Sequence, residues 1–502
     1  MTGKDDVFLE EARLGPRSQV LVDCEEVPNI PRLVRRFREY LLTDLAHAVM
    51  LTETDILTGA RGAKLLAGLL EIFDADGDGF PWLAQSGSFL VQVEHRLGQR
   101  IGEDIAGRLQ TGRSRNDQSA AAERLFLRDL LLAVADETIR LQDAVLDQAE
   151  RHAATLMPGY THLQHAQPAT FGHHLMRYGA AFDRDLGRLA DAYGRANLSS
   201  LGGAAMAGTS WPVDRRRTAE LLGHDDIVFN SSDAGSFARD YIEEVVAVLS
   251  MLMSNMGRLA NDLYVWHSWE FGYVEVADGL AGTSSIMPQK KNPHSLERIK
   301  ALGGQAAGWL PGIQACQHSV LSTDLDLTYA DDLLTGIGDA TRQALRLGVE
   351  TVATLIVHED RMAETAGAFW STTSHLADEI VRRYDLPFRA AHHVVGRFVR
   401  DSIAAGRTPA EARAEDLAEA GREMAGTEIE IPVEDLREIL DARAFLTSRV
   451  TAGSVHPDET RAHRAALAEA LDGHRGRWKA RRDQAESAIA ALLRRARELS
   501  AR

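Results

Sequence analysis

The sequence predicts an all-α protein organised around one long helical bundle. Apolar residues make up 45% of the 502 residues but aromatic residues only 6%, so alanine and leucine do most of the filling, which favours closely packed helices over sheets. Residues 118–154 form a long amphipathic run, and similar runs dominate residues 171–347, broken mainly at residues 201–212 and 281–293. Long helices with few, well-separated breaks predict an antiparallel bundle.

The pattern is different at the two ends of the chain. Residues 1–30 contain two prolines and show little periodicity, which predicts an irregular arm. Helical spacing of apolar residues begins within residues 32–57. Residues 475–497 alternate arginine with alanine and leucine, which predicts a solvated or inter-subunit helix without an assigned function.

Charge and cysteine content exclude several classes of protein. The formal charge of −17 argues against nucleic acid or an anionic membrane as the main partner. Cys24 and Cys316 are the only cysteines and lie far apart, so neither a disulfide framework nor a cysteine metal cluster is predicted. The acidic N-terminus lacks an apolar signal core, and no apolar run approaches the length of a membrane span. These observations predict a soluble, cytoplasmic protein.

Residues 281–293, A-G-T-S-S-I-M-P-Q-K-K-N-P, form a polar segment that we call the signature loop. Glycine on one side and proline on the other predict a loop and not a packed element. Catalytic groups concentrate on loops held by a rigid scaffold, and this loop offers serine hydroxyls beside fixed positive charge. From composition alone an ordinary surface loop is the alternative.

Two further segments carry chemistry. Residues 111–117, T-G-R-S-R-N-D, precede the amphipathic run at 118–154, so they lie near a helix start, where free amides and arginine suit a carboxylate. A helix cap with solvated arginines is the alternative. Residues 157–164, M-P-G-Y-T-H-L-Q, contain His162, and more histidines follow. No closing carboxylate or cysteine at zinc spacing accompanies them, so we expect no metal and no other cofactor.

These three motifs, in this order, resemble the fumarase/aspartase superfamily. The form S-S-I-M-P-Q-K-K-N-P is similar to its GSSxMPxKxNP loop, and with the other two motifs it resembles the argininosuccinate lyase branch. The resemblance implies a small-molecule dicarboxylate substrate and a homotetramer with a twenty-helix core, in which three chains contribute to each active site. It also implies an N-terminal, mostly helical domain (1–115), a central bundle (116–368) and a small helical C-terminal domain with an Arg-rich tail (369–502).

The resemblance also implies residue roles. Ser284, the first serine of the pair, is expected to be the base that removes a proton from carbon, and His162 to assist the leaving nitrogen. Lys290 and Asn292 are expected to hold the aci-carboxylate intermediate. The other expected substrate-binding residues are Ser114, Arg115 and Asn116 for the dicarboxylate, Thr161 and Gln164 in the second motif, and Ser285 and Met287 in the signature loop.

The sequence departs from the branch at residues 324–332, D-L-D-L-T-Y-A-D-D, where the family has Y-N-K-D-x-Q-E-D-K. Without gaps, the family's tyrosine, glutamine and last lysine become Asp324, Tyr329 and Asp332. With a short insertion Tyr329 stays the tyrosine, and Leu334 and Ile337 replace the other two. Smaller departures lie at residues 88–94, at Thr283, where the family has glycine, and at His294, where it has aspartate.

In the family the changed positions contact the amino-acid end of argininosuccinate. Replacing a cation there by a carboxylate or an apolar group removes the grip on a ligand carboxylate. We therefore expect a carbon–nitrogen lyase that cleaves an N-succinyl compound to fumarate and an amine other than arginine, or catalyses the reverse addition. Argininosuccinate lyase proper, a plain ammonia lyase and a non-catalytic, crystallin-like structural protein remain alternatives.

Overall fold

The computed structural model describes residues 17–237, 239–318 and 326–502. The N-terminal helices are α1 (Gln19–Leu21), α2 (Val27–Arg35), α3 (Phe37–Glu53), α4 (Gly59–Asp74), α5 (Phe89–Ile101) and α6 (Glu103–Ala106), with a π-helical turn, Val22–Glu26, between the first two. The irregular arm predicted for residues 1–30 is wrong for its described part, which is helical from Gln19. Pro28 lies in the first turn of α2, directly after the π-helical turn.

The predicted bundle is confirmed. Its helices are α7 (Arg115–Arg151), α8 (Phe171–Ala196), α10 (Asp240–His267), α11 (His294–Gln305), α12 (Trp309–Gln314) and α13 (Asp326–Ala353). Helix α8 starts beside the end of α7, where the Gly172 amide donates to the His152 carbonyl, so the two helices are antiparallel. Helix α10 starts beside Glu123 near the beginning of α7, and its last turn lies near the start of α8, so it is parallel to α7.

Short β-structure lies at the ends of the bundle. The longest pair is an antiparallel hairpin, β1 (Leu156–Thr161) with β2 (Gln164–Thr170). The others are two-residue pairs: β3 (Leu198–Ser199) with β4 (Asp226–Ile227), β5 (Val274–Glu275) with β8 (Ile356–Val357), and β6 (Gly282–Thr283) with β7 (Lys291–Asn292). Helix α9 (Arg215–Leu222) follows β3. The hairpin and the pair β6–β7 carry two of the three motifs.

The C-terminal helices α14 (Glu359–Ala366), α15 (Thr373–Tyr384), α16 (Phe388–Ala404), α17 (Ala414–Ala425), α18 (Val433–Leu440) and α19 (Ala442–Thr447) precede a long helix, α20 (Pro457–Ser500). A separate hydrophobic cluster joins α15 to α18. The division into domains at residues 115 and 368 stays a prediction. Within the described residues, no helix is long and apolar enough to cross a membrane.

Helix α20 differs from the solvated or inter-subunit helix that its arginines predicted. It packs back along α7, α8 and α4 of its own chain, and Trp478 and Leu492 are fully buried. Arg475 pairs with Asp143 of α7 at 2.9 Å, and Arg482 pairs with Asp136 about two turns away. The helix is therefore packed because its apolar stripe faces the core while its arginines meet the acidic face of α7.

Candidate active site

The signature loop is a tight hairpin that presents its tip to solvent. Strands β6 and β7 pair Gly282 with Asn292, and residues 284–290 connect them. The Ser284 hydroxyl oxygen accepts hydrogen bonds from the backbone amides of Ile286, at 3.3 Å, and Met287, at 3.1 Å. Two amide donors aimed at one oxygen stabilise negative charge on it.

The two lysines of the loop have different environments. Lys291 Nζ lies 2.5 Å from Glu275 Oε1 and 2.6 Å from Asp278 Oδ1, and these two carboxylates raise its pKa against the lowering effect of burial. The Lys290 side chain is exposed and has no ion pair within the described parts of the chain. Lys290 is therefore the lysine available to a ligand, whereas Lys291 holds the base of the loop.

The base of the loop is packed closely. A Cβ atom on Gly282 would lie 2.0 Å from the imidazole of His294, so only glycine fits there. His294, which stands where the family has aspartate, thus covers the start of the loop. His267, at the end of α10, places its Nε2 3.3 Å from the Lys291 carbonyl oxygen. These contacts fix the loop to the end of the bundle.

The second motif forms the hairpin β1–β2, with His162 and Leu163 as its two turn residues. Both have positive φ angles, 53° and 59°, which is the backbone of a type I′ turn and is unfavourable for residues other than glycine, asparagine or aspartate. His162 is exposed at the tip, between Thr161 and Gln164, which are also exposed. Such strain at an exposed histidine is typical of a functional turn.

Aromatic residues hold the hairpin against the end of α10. The Tyr160 hydroxyl lies 2.6 Å from that of Tyr273, and its ring packs edge-on against Phe271 and His165. Tyr273 follows α10 and pairs its carbonyl with the amide of His358. The signature loop follows the same segment of chain, so the second motif and the signature loop share one end of the bundle.

A cavity of about 650 Å³ opens between the hairpin tip and helices α8 and α10. Its wall includes His162, Trp266 and a polar group in which Tyr178 donates to Asp262 at 2.5 Å. His174 lies 3.4 Å from the same carboxylate, and burial lowers its pKa to about 4. The His174 ring packs at a tilted angle of 58° against Trp266, with the ring centroids 4.4 Å apart, as part of the wall.

The first motif forms the start of α7. Ser114 is the N-cap: its hydroxyl accepts from the Asn116 amide at 3.3 Å, and its own amide donates to Asp117 Oδ1 at 2.9 Å. The other oxygen of Asp117 accepts from the amides of Gly202 and Ala204, at 2.9 and 3.0 Å. Arg115 is exposed, and its guanidinium has no ion pair in the described chain. An arginine beside a helix N-terminus suits a carboxylate ligand.

The region predicted to meet the amine half lies partly outside the described residues. Asp324 is in the undescribed segment, and only the backbone of Tyr329, in the first turn of α13, is described. Asp332 forms an ion pair with Arg35 of α2. The neighbouring Asp331, which the sequence did not single out, accepts from Arg36 Nε at 3.0 Å and Nη2 at 2.7 Å. The last residue of α2, Arg35, and the residue that follows it, Arg36, thus each pair with one of these carboxylates.

The predicted site residues fall into two groups at opposite ends of the bundle. Ser114, Arg115, Asn116, Tyr329 and Asp332 lie at the end where α7 and α13 begin. Thr161, His162, Gln164, Ser284, Ser285, Met287, Lys290 and Asn292 lie at the end where α7 and α10 finish. Helix α7 has 37 residues and is therefore about 55 Å long. One chain does not bring the two groups together.

Some residues that support the site were missed in the sequence. Asp117 was counted only as the last letter of T-G-R-S-R-N-D, although serine followed three residues later by an acidic residue is a capping-box pattern. Glu275 and Asp278 bind the ammonium group of Lys291. No local sequence pattern points to these two partners, because they lie 16 and 13 residues away from it.

Comparison with known proteins agrees with the motifs. A family model described as lyase matches residues 43–308, and one described as argininosuccinate lyase C-terminal matches residues 370–447. The argininosuccinate lyase of Methanosarcina acetivorans is 36% identical over 458 residues, covering 91% of this chain and 92% of its own. That of Thioalkalivibrio sulfidiphilus is 39% identical over 440 residues, covering 87% and 92%.

Solved structures agree as well. An EDDS lyase in complex with formate is 31% identical, with a TM-score of 0.84 over 97% of this chain and 96% of its own. The class II fumarase of Schistosoma mansoni shares the fold, with a TM-score of 0.69 over 85% of this chain and 92% of its own at 15% identity. The chain belongs to the argininosuccinate lyase branch of the fumarase/aspartase superfamily and is a carbon–nitrogen lyase of that type.

Proposed function

We propose that this chain cleaves an N-succinyl compound to fumarate and an amine other than arginine, or catalyses the reverse addition. The observation that carries the proposal is the Ser284 hydroxyl, which accepts from two loop amides. The same loop carries Lys290, which is exposed and has no ion pair in the described residues. A serine is a weak base in water, but amide donors aimed at its oxygen lower the cost of its alkoxide.

The reaction proceeds by β-elimination. Ser284 removes a proton from the carbon next to a carboxylate, and the electron pair moves into that carboxylate to give the aci form, whose charge Lys290 and Asn292 meet. The pair then returns to form the carbon–carbon double bond as the carbon–nitrogen bond breaks. His162 gives a proton to the departing nitrogen, so the products are fumarate and a neutral or protonated amine.

The charges around α13 support a leaving group without arginine's α-carboxylate. Arg35 and Arg36 are engaged by Asp332 and Asp331. A ligand carboxylate would have to compete with both protein carboxylates for them. A cationic amine, guanidine or similar nucleophile meets no such competition.

Argininosuccinate lyase proper is the second candidate, because the relatives that match about nine-tenths of this chain carry that name. The structural relative named EDDS lyase, at 31% identity, carries a different name on the same fold. Overall similarity therefore supports the elimination chemistry more strongly than it supports either leaving group.

The test is fumarate release, followed by ultraviolet absorbance, from argininosuccinate, with Ser284→Ala as the inactive control and Ser487→Ala, at an exposed serine of α20, as the matched control. Release by wild type that is lost only in Ser284→Ala makes the protein an argininosuccinate lyase and refutes the substrate part of the proposal. Without release, fumarate consumption is measured with diamines, guanidines and hydrazines. Consumption with one of these supports the proposal, and no reaction at all favours the non-catalytic, structural alternative.

We further propose a homotetramer with shared sites, because the two groups of site residues lie about 55 Å apart in one chain. Arg115→Ala removes a predicted binding residue at one end of the bundle, and Ser284→Ala removes the proposed base at the other end. If each site takes the two residues from different chains, random mixing restores activity to roughly a quarter of the wild-type rate. If one chain contained the whole site, the mixture would stay inactive, so co-refolded and separately refolded variants are compared.

A further inference from the structure

A buried cluster of charged side chains lies beneath the first motif. Arg113 precedes the N-cap Ser114, and its Nη1 lies 2.6 Å from Asp44 Oδ1 of α3, with both side chains fully buried. The same carboxylate oxygen accepts from Gln118 Nε2, in the first turn of α7, at 2.7 Å. Asp44 is therefore bonded on both sides of the turn that carries residues 114–116.

A second residue of α3 holds the same turn. His47, one helical turn after Asp44, places its Nε2 2.9 Å from the carbonyl oxygen of Thr111. Burial, together with the charge of Arg113, keeps the pKa of His47 well below its usual range, so its imidazole is neutral and Arg113 is the only cation of the cluster. Helix α3 thus acts as a rigid support for residues 111–118.

A second carboxyl faces Arg113 from another helix. Glu94 of α5 is buried, and its pKa is raised to about 7, first by burial and then by the charge of Asp44, against the lowering effect of Arg113. Burial also raises the pKa of Asp44, which the Arg113 guanidinium and the Gln118 amide oppose. Asp117, on the other side of the turn, binds the amides of Gly202 and Ala204 and closes the set of charges.

We propose that Asp44 and Glu94 are positioning residues that act through Arg113 to set the place of residues 114–116, and with it the affinity for the substrate's carboxylates. This inference rests on the proposed binding role of the first motif. Arg113 is covalently joined to Ser114, so a shift of its guanidinium moves the N-cap hydroxyl and the exposed Arg115 directly.

The charge of the cluster gives the direction of a pH effect. With Glu94 protonated, the charges of Asp44 and Arg113 offset each other, while Asp117, on the other side of the turn, interacts with the guanidinium of Arg215. When Glu94 loses its proton, one further negative charge lies beneath the proposed binding site for dianions. We therefore expect fumarate to bind less tightly as the pH rises from 6 to 8, and Glu94→Gln, which mimics the protonated form, to remove most of this change.

The experiment is calorimetric titration with fumarate, because it needs no knowledge of the leaving group. We expect Asp44→Asn to weaken fumarate binding about tenfold and Glu94→Gln to flatten its pH dependence. Asp185→Asn is the matched control: its carboxylate is also fully buried and bonded to an arginine, at 2.7 Å, but lies within α8 away from the first motif. Circular dichroism shows whether each variant is folded.

The outcomes separate two failures. Wild type that does not bind fumarate refutes the proposed function, and with it this inference. The positioning role alone is refuted if wild type binds fumarate, Asp44→Asn and Asp185→Asn bind it with equal affinity, and Glu94→Gln shows the same pH dependence as wild type. If Asp44→Asn does not fold, Glu94→Gln decides, because it changes one atom and keeps the shape of the side chain.

Discussion

Asp117 is expected to hold the start of α7 against the loop at residues 202–204, and Asp117→Asn tests this. The wild-type carboxylate accepts from three amides, those of Ser114, Gly202 and Ala204. Asparagine has one acceptor oxygen, so in its best orientation one buried donor is left unpaired, at about 1–3 kcal/mol, and the other two bonds lose charge assistance, at about 1 kcal/mol each. The expected loss is about 3–5 kcal/mol of local stability.

Hydrogen exchange measures this loss where it occurs. A loss of about 3 kcal/mol corresponds to roughly a hundredfold faster exchange of the bonded amides, if local opening controls their exchange. Peptides covering residues 111–118 and 199–206 are compared between wild type, Asp117→Asn and Asp129→Asn. Asp129 lies on the exposed side of α7, and within the described residues its ion pair is with its neighbour Arg128, so it is the matched control. Protection in Asp117→Asn within twofold of the control would contradict the reasoning.

Three further predictions follow from single features of the structure. Trp478→Ala should cost about 3–5 kcal/mol in urea unfolding because the ring is fully buried against Tyr193, whereas Lys479→Ala, on the exposed face of α20, should change nothing. The pKa of His174 is lowered to about 4 by burial, so unfolding takes up a proton below pH 6.5. The contribution of His174 to stability is therefore full above pH 6.5 and falls as the pH drops toward 4. In urea unfolding measured across this range, His174→Gln should flatten the fall. Glycine adopts the positive φ of residue 163 without strain, so Leu163→Gly should keep activity. Leu163→Val should destabilise the turn by about 1–2 kcal/mol and lower the initial rate. Equal initial rates in the two variants would count against a strained turn.

The bundle could be predicted because its signal is local and repeated. Helix α7 presents apolar residues at helical spacing over ten turns, and its first residues carry their own cap, Ser114 with Asp117. The residues of the three motifs could be named because each motif is contiguous. What they bind, and which chains they come from, is not encoded in such a short stretch.

Features that depend on distant partners could not be predicted. The two lysines of the signature loop are adjacent in sequence, and only Glu275 and Asp278 make Lys291 structural and leave Lys290 exposed. Asp331 is paired with Arg36 at a separation of 295 residues, so the charge at the start of α13 depends on the residue that follows α2. The arginines of α20 have the sequence pattern of a solvent-exposed helix, because their acidic partners lie on another helix, α7.

The geometry of a single chain explains why its functional residues are so exposed. The tip of the signature loop carries Ile286 and Met287, 83% and 43% exposed, and the hairpin tip carries Leu163, 74% exposed. Exposed apolar side chains on two loops at one end of a bundle indicate a surface that another protein surface covers. The length of α7, about 55 Å, separates this end from the turn at residues 114–116, so in the proposed tetramer the surface that completes the site is the opposite end of another copy. Loss of fumarate release on dilution to monomers, with helix content unchanged, is the result this argument requires.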